Sequence, residues 1–156
     1  MRHESGFSYV IVMFLVMIMS LVSARALRNS LTTERRDKEA QLLLVGQAYR
    51  QAIANYYQHS PGSNKTFPPS LEAMLLDQRA TRPVRPLRKL YRDPITGSAQ
   101  WGVVRNEADA VIGVYSLSQQ EPYKKDGFAP ELTGFVNAKS YQSWRFVFQP
   151  DAPLPP

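Results

Sequence analysis

Few residues of this 156-residue chain could carry catalytic or metal-binding chemistry. The chain has no cysteine, and its two histidines are His3 and His59. His59 lies in a Pro-Gly loop and has no evident catalytic partner. Because nucleophilic catalysis needs a base oriented against its nucleophile, the sequence predicts no catalytic residue. We therefore expect no enzyme and no cofactor.

Acidic residues of the second half are the remaining candidates for holding a cation. They do not have the clustered spacing that a calcium loop requires. Lys124 and Lys125 also precede one of them directly, which disfavours a cation there. No metal site is therefore predicted. The acids considered are Glu107, Asp109, Glu121, Asp126 and Glu131.

A basic loop, residues 79–92, holds the most concentrated charge of the chain. Its sequence RATRPVRPLRKLYR has six basic residues and no acid, and removing those six from the nineteen of the chain leaves thirteen, which equals the number of acids. Four arginines recur at every third position among two prolines, so a polyproline II conformation would align them in one ridge. A solvated loop and a docking site for an anionic partner both fit this pattern. The basic residues are Arg79, Arg82, Arg85, Arg88, Lys89 and Arg92.

An uncharged apolar run from Phe7 to Ala24 dominates the N-terminal part. Its 18 residues come near the length needed to span a bilayer core of roughly 30 Å as a helix. The core of a cleavable secretory signal is shorter, about 7–15 residues. The run therefore predicts a membrane segment at residues 7–24.

The helical pattern continues past the apolar run to about Gln58. No proline occurs before Pro61, and apolar residues recur at steps of three and four from Leu42 to Tyr56. Between the two apolar parts, a polar stretch that includes Glu39 predicts an exposed helix with i,i+4 ion pairs. The predicted element is one helix over 7–58, with a membrane half and an amphipathic half. Its predicted core stripe is Leu42, Val45, Tyr49, Ile53 and Tyr56.

The remainder, 59–156, reads as a small globular α+β region. A loop covers 59–69, a short helix covers 70–75, and strands are predicted at 100–105, 110–117 and 143–149. The NEAD sequence at 106–109 would close a hairpin between the first two strands. A three-stranded antiparallel sheet cannot bury its face alone, so we expect it to pack on the amphipathic half of the helix. The tail 151–156, DAPLPP, predicts no regular structure and is expected to be disordered.

The chain resembles the type IV pilins and type II secretion pseudopilins. Gly6-Phe7-Ser8 followed by an uninterrupted apolar helix matches their short leader and mature N-terminus. The stretch LYRDPITGSAQWGVV is similar to the Asp-Pro-x-Gly-aromatic strand entry of their globular domains. This resemblance implies a pilin-like fold and a leader at 1–6.

Several expectations follow from the resemblance alone. A prepilin peptidase would cut after Gly6 and methylate Phe7. The expected partners are other pilin or pseudopilin subunits, an inner-membrane assembly platform and membrane lipid. The expected location is the bacterial inner membrane, with a single pass and the globular part in the periplasm, and a periplasmic filament after assembly. The family usually has Glu at the fifth mature position, where this chain has Ile11, so we expect an atypical or minor subunit.

Two alternatives stay open. The chain could be a minor pilin whose basic loop binds DNA or an acidic ligand, although nucleic acid is the less favoured partner because stacking aromatics are scarce near the loop. It could also be an uncleaved single-pass inner-membrane protein with an unrelated domain.

Overall fold

The computed structural model describes the backbone of residues 5–150 and the side chains of 8–23 and 32–150. The described backbone is α+β, with one long helix, α1 (Ser5–Gln58), and three strands, β1 (Gly102–Arg105), β2 (Val111–Tyr115) and β3 (Phe146–Val147). Short 3₁₀ turns lie at Glu72–Met74, Pro130–Phe135 and Tyr141–Ser143. The first four residues of the predicted leader and the whole predicted tail 151–156 lie outside the described residues.

The chain divides into two compact units, Met1–Asp37 and Lys38–Pro156. The boundary falls within α1, so the C-terminal part of the helix belongs to the folded unit that also contains the sheet. The sequence had suggested a boundary after residue 58, at the end of the helix. The difference arises because the amphipathic part of α1 supplies one side of the hydrophobic core.

The sheet is antiparallel throughout, in the order β1-β2-β3. The NEAD turn closes the first hairpin as predicted: the Asn106 N–H donates to the Ala110 carbonyl at 3.0 Å. The Asn106 side-chain oxygen also accepts the N–H groups of Ala108 and Ala110. Asp109 takes a positive φ of 58°, a conformation that Asp tolerates better than most residues. A register shift lies just before this turn, between Val104 and Arg105.

All three strands are shorter than predicted. The third differs most, because Tyr141–Ser143 forms a 3₁₀ turn and only Phe146 and Val147 pair with β2. The short helix predicted at 70–75 is likewise a 3₁₀ turn of three residues, Glu72–Met74. Apolar alternation locates a strand, but it does not determine where the backbone stops pairing.

The core lies between α1 and the sheet. Four of the five predicted stripe residues, Leu42, Tyr49, Ile53 and Tyr56, are buried, and Val45 is half-buried. They pack with Trp101, Val111, Val114, Trp144 and Phe146, among others. The helix approaches the sheet most closely at Gly46, where an added Cβ would lie 2.3 Å from the Phe146 ring.

Candidate assembly and binding surfaces

The N-terminal part of α1 presents apolar side chains in every direction. Every residue from Ser8 to Ser23 is exposed, and the large apolar ones among them range from Ile18, at 44 % exposed, to Met19, at 71 %. A helix that is apolar all round has no solvent-facing side, so it needs lipid or protein around it. We call residues 8–23 the apolar segment.

Two of the three serines inside the apolar segment, Ser20 and Ser23, are satisfied by their own helix. Ser20 Oγ donates to the Val16 carbonyl at 2.8 Å, and Ser23 Oγ donates to the Met19 carbonyl at 2.9 Å. In hydrocarbon, an unsatisfied hydroxyl would cost several kcal/mol, roughly 4–8 by transfer from water to cyclohexane. These hydrogen bonds suit the segment to surroundings that cannot hydrogen-bond.

No helix in the described part of the chain combines the length and the mean hydropathy that crossing a membrane requires.

The predicted processing site, Gly6 and Phe7, lies in the first turns of α1, and its side chains are outside the described residues. Ile11 lies one turn further on and is 45 % exposed. The structure therefore places the predicted assembly position on the open surface of the helix.

Arg79 does not belong to an exposed ridge of arginines. Its guanidinium forms a bidentate pair with Asp77, with Nε to Oδ1 at 2.8 Å and Nη2 to Oδ2 at 2.7 Å. Nη2 also donates to the Tyr56 carbonyl at 2.8 Å, in the last turn of α1. The guanidinium lies 3.5 Å from the centre of the Tyr56 ring. Arg79 is thus a structural residue that ties its loop to the end of the helix.

This arrangement also explains two pKa shifts. The hydrogen bonds from Arg79 hold the pKa of Asp77 below its ordinary value, because they favour the charged carboxylate. Burial raises the pKa of the Tyr56 phenol, and the positive charge of Arg79 opposes that shift only in part.

The backbone around Arg79 is a closed turn and not an extended polyproline segment. Asp77 and Val84 exchange both backbone hydrogen bonds, Asp77 N to Val84 O at 2.8 Å and the reverse at 3.0 Å. The chain bends between them, which removes Arg79 from the predicted three-residue repeat. The prediction of a ridge of four arginines was therefore wrong for Arg79.

The other predicted docking residues are all exposed. Arg82, Arg85 and Arg88 have no side-chain partner within the described part of the chain. Lys89 places its Nζ 5.5 Å from the Tyr91 ring centre, and Arg92 donates to the Gly97 carbonyl at 3.3 Å. We call Arg82, Arg85, Arg88 and Lys89 the basic surface.

Tyr91 is not free to serve as a stacking platform beside the basic surface. Its ring packs against Tyr49 in a T-shaped arrangement, with centroids 6.1 Å apart. Its backbone N–H donates to the Tyr49 hydroxyl at 2.9 Å, and its carbonyl accepts from Trp101 Nε1 at 2.8 Å. Burial raises the pKa of the Tyr49 phenol. Tyr91, the aromatic residue of the basic loop, therefore packs against the hydrophobic core.

The environment of Glu39 was predicted wrongly from the sequence. Predicted on an exposed helix, it is buried, with 3 % of its surface exposed. Its carboxylate accepts the backbone N–H groups of Tyr123 and Lys124 and the Tyr141 hydroxyl, the last at 2.8 Å. The charge is stabilised by these donors, and it fixes the 120–125 segment to α1. Nothing in its local sequence distinguishes Glu39 from its charged neighbours.

The acids considered for calcium are dispersed. Glu121 pairs with Lys125 at 2.5 Å, and Asp109 lies 3.6 Å from Arg105. No group of three histidine or acidic side chains suited to a metal ion occurs in the part of the chain that the structure describes.

Comparisons of the chain with protein-family models, with curated proteins and with solved structures find no match.

Proposed function

We propose that this chain is a pilin-like structural subunit of a type II secretion pseudopilus or a type IV pilus. A prepilin peptidase would remove residues 1–6 and methylate Phe7, and assembly would proceed through the N-terminal part of α1. The observation that carries the proposal is the apolar segment, which is helical, exposed on all sides and has the hydroxyls of Ser20 and Ser23 bonded within the helix.

The physical chemistry of that segment favours a role in which its surroundings change but stay apolar. Lipid would surround it before assembly, with the folded unit in the periplasm and the chain held in the inner membrane. Neighbouring helices would replace lipid in the filament, and that exchange costs little because both surroundings are equally apolar. Ile11 adds no buried charge to fix the register, which suits a minor or atypical subunit.

Mass spectrometry of the full chain, co-produced with a prepilin peptidase, tests the proposal. We expect a mature N-terminus at methylated Phe7. Gly6→Ala should leave the leader in place, whereas the neighbouring change Ser5→Ala should not. An intact N-terminus in the wild-type chain would favour the uncleaved single-pass membrane protein instead.

A second function is supported by the basic surface. Its four cations are exposed and serve no described interaction beyond the contact of Lys89 with Tyr91. Exposed cations without internal partners can bind an acidic ligand or nucleic acid by releasing counterions. This makes a minor pilin with an anion-binding module the alternative function.

Titration of the detergent-solubilised full chain with duplex DNA and with polyglutamate tests this alternative. Binding should weaken steeply as salt is raised, and Arg82→Gln, Arg85→Gln and Arg88→Gln together should remove it. Binding that survives the triple substitution, or that does not depend on salt, would contradict a role for the basic surface.

A further inference from the structure

β1 leaves one edge of the sheet open, because the strand order is β1-β2-β3. Main-chain groups point to alternate sides along an antiparallel strand. The Ile112 carbonyl of β2 accepts from the Phe148 N–H at 2.9 Å, so Ile112 faces β3, and the next residue, Gly113, faces Val104 of β1. The N–H and C=O of Val103 therefore point to the open edge. Among the described residues, no main-chain hydrogen bond outside the sheet involves Val103.

A groove of about 430 Å³ lies beside this open edge. Trp101 and Val103 are two positions apart in extended chain, so their side chains lie on the same side, and both line the groove. Leu71 and Leu117 add to its apolar lining, and Leu117 is 41 % exposed. An extended peptide that pairs with Val103 would therefore place alternate side chains in the groove.

The basic surface borders the groove on two sides. The Trp101 indole N–H donates to the Tyr91 carbonyl at 2.8 Å, and Lys89 lies over the Tyr91 ring. The first 3₁₀ turn lines another part of the groove, and there the Met74 carbonyl accepts the Leu87 N–H at 2.9 Å. The cations at positions 88 and 89 are therefore held at the rim of the groove by the main chain beside them.

The charges around the groove favour an anionic occupant. Arg85, Arg88 and Lys89 are exposed, and they form no ion pair in the part of the chain that the structure describes. Glu72 is the one acid that lines the groove. Hydrogen bonds from its own backbone N–H and from the Ser70 hydroxyl hold the pKa of Glu72 below its ordinary value, so its charge is already stabilised within the turn. The unpaired charge beside the groove is therefore positive.

An acidic peptide with apolar side chains matches the open edge, the groove and the cations together. Duplex DNA would contact the cations, but it has no main chain to pair with β1. Polyglutamate has a main chain and charge, but it has no apolar side chain for the groove.

We infer that the β1 edge binds an extended acidic segment of a partner protein as a fourth strand. Its apolar side chains occupy the groove, and its acidic residues contact the basic surface. This inference rests on the second function proposed above, anion binding by the basic surface, and names its ligand. It does not depend on removal of the leader. We call this surface the peptide site: Leu71, Arg88, Lys89, Trp101, Val103 and Leu117.

Titration of the detergent-solubilised full chain with synthetic peptides tests the peptide site. The probe is fluorescein-labelled Glu-Asp-Glu-Val-Thr-Val-Thr-Glu-Asp-Glu, followed by fluorescence anisotropy. A matched peptide with N-methyl groups on its four central residues keeps every charge and side chain but cannot donate to β1. It should bind at least about tenfold more weakly, as should a peptide with serine in place of both valines. Equal binding of either control peptide would overturn the inference.

Two leucines of similar exposure give a matched pair of variants. Leu117→Glu places a negative charge in the groove and should weaken binding of the valine peptide at least about tenfold. Leu76→Glu, at a leucine that is 42 % exposed and does not line the groove, should change binding by less than about twofold. Equal effects of the two variants would overturn the inference. Circular dichroism confirms that each variant is folded.

The cations have a matched pair as well. Arg88→Gln combined with Lys89→Gln should weaken binding of the same peptide at least about tenfold, because it removes two charges at the rim. Lys139→Gln, at an exposed lysine outside the basic surface, should change binding by less than about twofold. A double variant that binds as tightly as the wild-type chain would overturn the inference.

Amide hydrogen exchange of the wild-type chain locates the bound peptide without any substitution. The Val103 N–H should exchange at least about tenfold more slowly at saturating peptide, whereas the Val104 N–H, already directed at β2, should change little. Unchanged exchange at Val103 would overturn the inference.

The same titrations separate this inference from the functions on which it builds. Binding of polyglutamate and DNA, with no preference for the valine peptide over its controls, would overturn the peptide site and leave anion binding by the basic surface in place. Absence of binding to every anionic probe would overturn both. The N-terminus found by mass spectrometry decides the pilin-like maturation independently of either result.

Discussion

Two stretches of the same helix treat their apolar side chains in opposite ways. In the apolar segment, residues 8–23, every side chain is exposed. In the stretch from Leu42 to Tyr56, apolar residues of the stripe are covered by the sheet of the same chain. Both stretches are helical, so helix formation alone says little about their role. What differs is whether the chain covers its own apolar surface, as it does from Leu42 to Tyr56, or leaves that surface exposed, as it does in the apolar segment.

The contrast extends to polar groups. Ser20 and Ser23 of the apolar segment bond their own helix, whereas Glu39 of the folded unit accepts from donors at residues 123, 124 and 141. These two hydroxyls of the apolar segment therefore find their acceptors within one helical turn. The folded unit becomes complete only when distant parts of the chain meet.

Substitutions at two isoleucines of α1 should give the largest difference in the free energy of unfolding. Ile53 is fully buried, whereas Ile18 is 44 % exposed. Ile53→Ala should lower the free energy of unfolding of the folded unit by about 3–4 kcal/mol, through lost burial and a residual cavity. Ile18→Ala should change it by less than about 0.5 kcal/mol. Denaturant unfolding of the detergent-solubilised chain, followed by the near-UV signal of Trp101 and Trp144, measures both, and equal losses would contradict the contrast.

Gly46 tests how closely α1 approaches the sheet. Gly46→Ala should destabilise the folded unit by about 2–3 kcal/mol, because the new methyl group would overlap the buried Phe146 ring and outweigh the gain in helix propensity. The control Gly134→Ala adds a methyl group with no neighbour within 4 Å, and should be nearly neutral. Thermal unfolding compares the two, and a stabilised Gly46→Ala variant would show that the helix stands further from β3.

Glu39 tests the buried polar contact. Glu39→Gln should cost about 1–3 kcal/mol, because the amide places an N–H₂ group among three donors and leaves at least one unsatisfied. Glu107→Gln, at an exposed turn position, should have no measurable effect. Chemical denaturation at neutral pH decides the matter, and equal behaviour of the two variants would mean that Glu39 is solvated.

Asp77 gives a pH-dependent version of the same test. Its pKa is lower in the folded chain than in the unfolded chain, so the unfolded chain binds more protons at low pH. The contribution of Asp77 is therefore present above an ordinary Asp pKa of about 3.9, and is lost as the pH falls through its lower folded value. Asp77→Asn should cost about 1–2 kcal/mol at pH 7 and progressively less below about pH 4. Unfolding curves from pH 7 to pH 2 measure the convergence; a constant gap would assign the effect to something other than the charge.

The basic surface gives the smallest expected effect. Arg82→Gln, Arg85→Gln and Arg88→Gln should each change the free energy of unfolding by less than about 0.5 kcal/mol, because these exposed residues hold no described partner. Arg79→Gln should destabilise the chain clearly, since it breaks the pairing with Asp77. Thermal melts compare the four variants directly. If Arg85→Gln lowered the free energy of unfolding as much as Arg79→Gln, the distinction between Arg79 and the exposed arginines would be contradicted.

Local patterns predicted the elements of this fold better than its polar contacts. Helical periodicity predicted the C-terminal end of α1 at Gln58 and the buried stripe, and turn chemistry predicted the hairpin at Asn106. The burial of Glu39 and the role of Arg79 were not predictable in this way. Each depends on partners far along the chain, such as Tyr141 for Glu39 and Tyr56 for Arg79. The local sequence around a charged residue is the same whether the residue is exposed to water or buried by a segment far along the chain.

The same distinction between local pattern and distant contact applies to the candidate surfaces. Composition alone indicated the apolar segment, since its 18-residue run has no charge. The basic loop was located correctly, but only the structure separates Arg79 from the arginines that remain exposed.

The Glu39 contact has a consequence for the order in which the chain can fold as it is synthesised. The Tyr141 hydroxyl that it accepts lies 102 residues downstream, and Phe146, which packs against Gly46, lies further still. A ribosome delivers α1 first and these partners last, so the amphipathic stretch of the helix stays uncovered for nearly the whole of translation. Contacts of such long sequence separation slow folding, which leaves the nascent chain in need of protection during that interval.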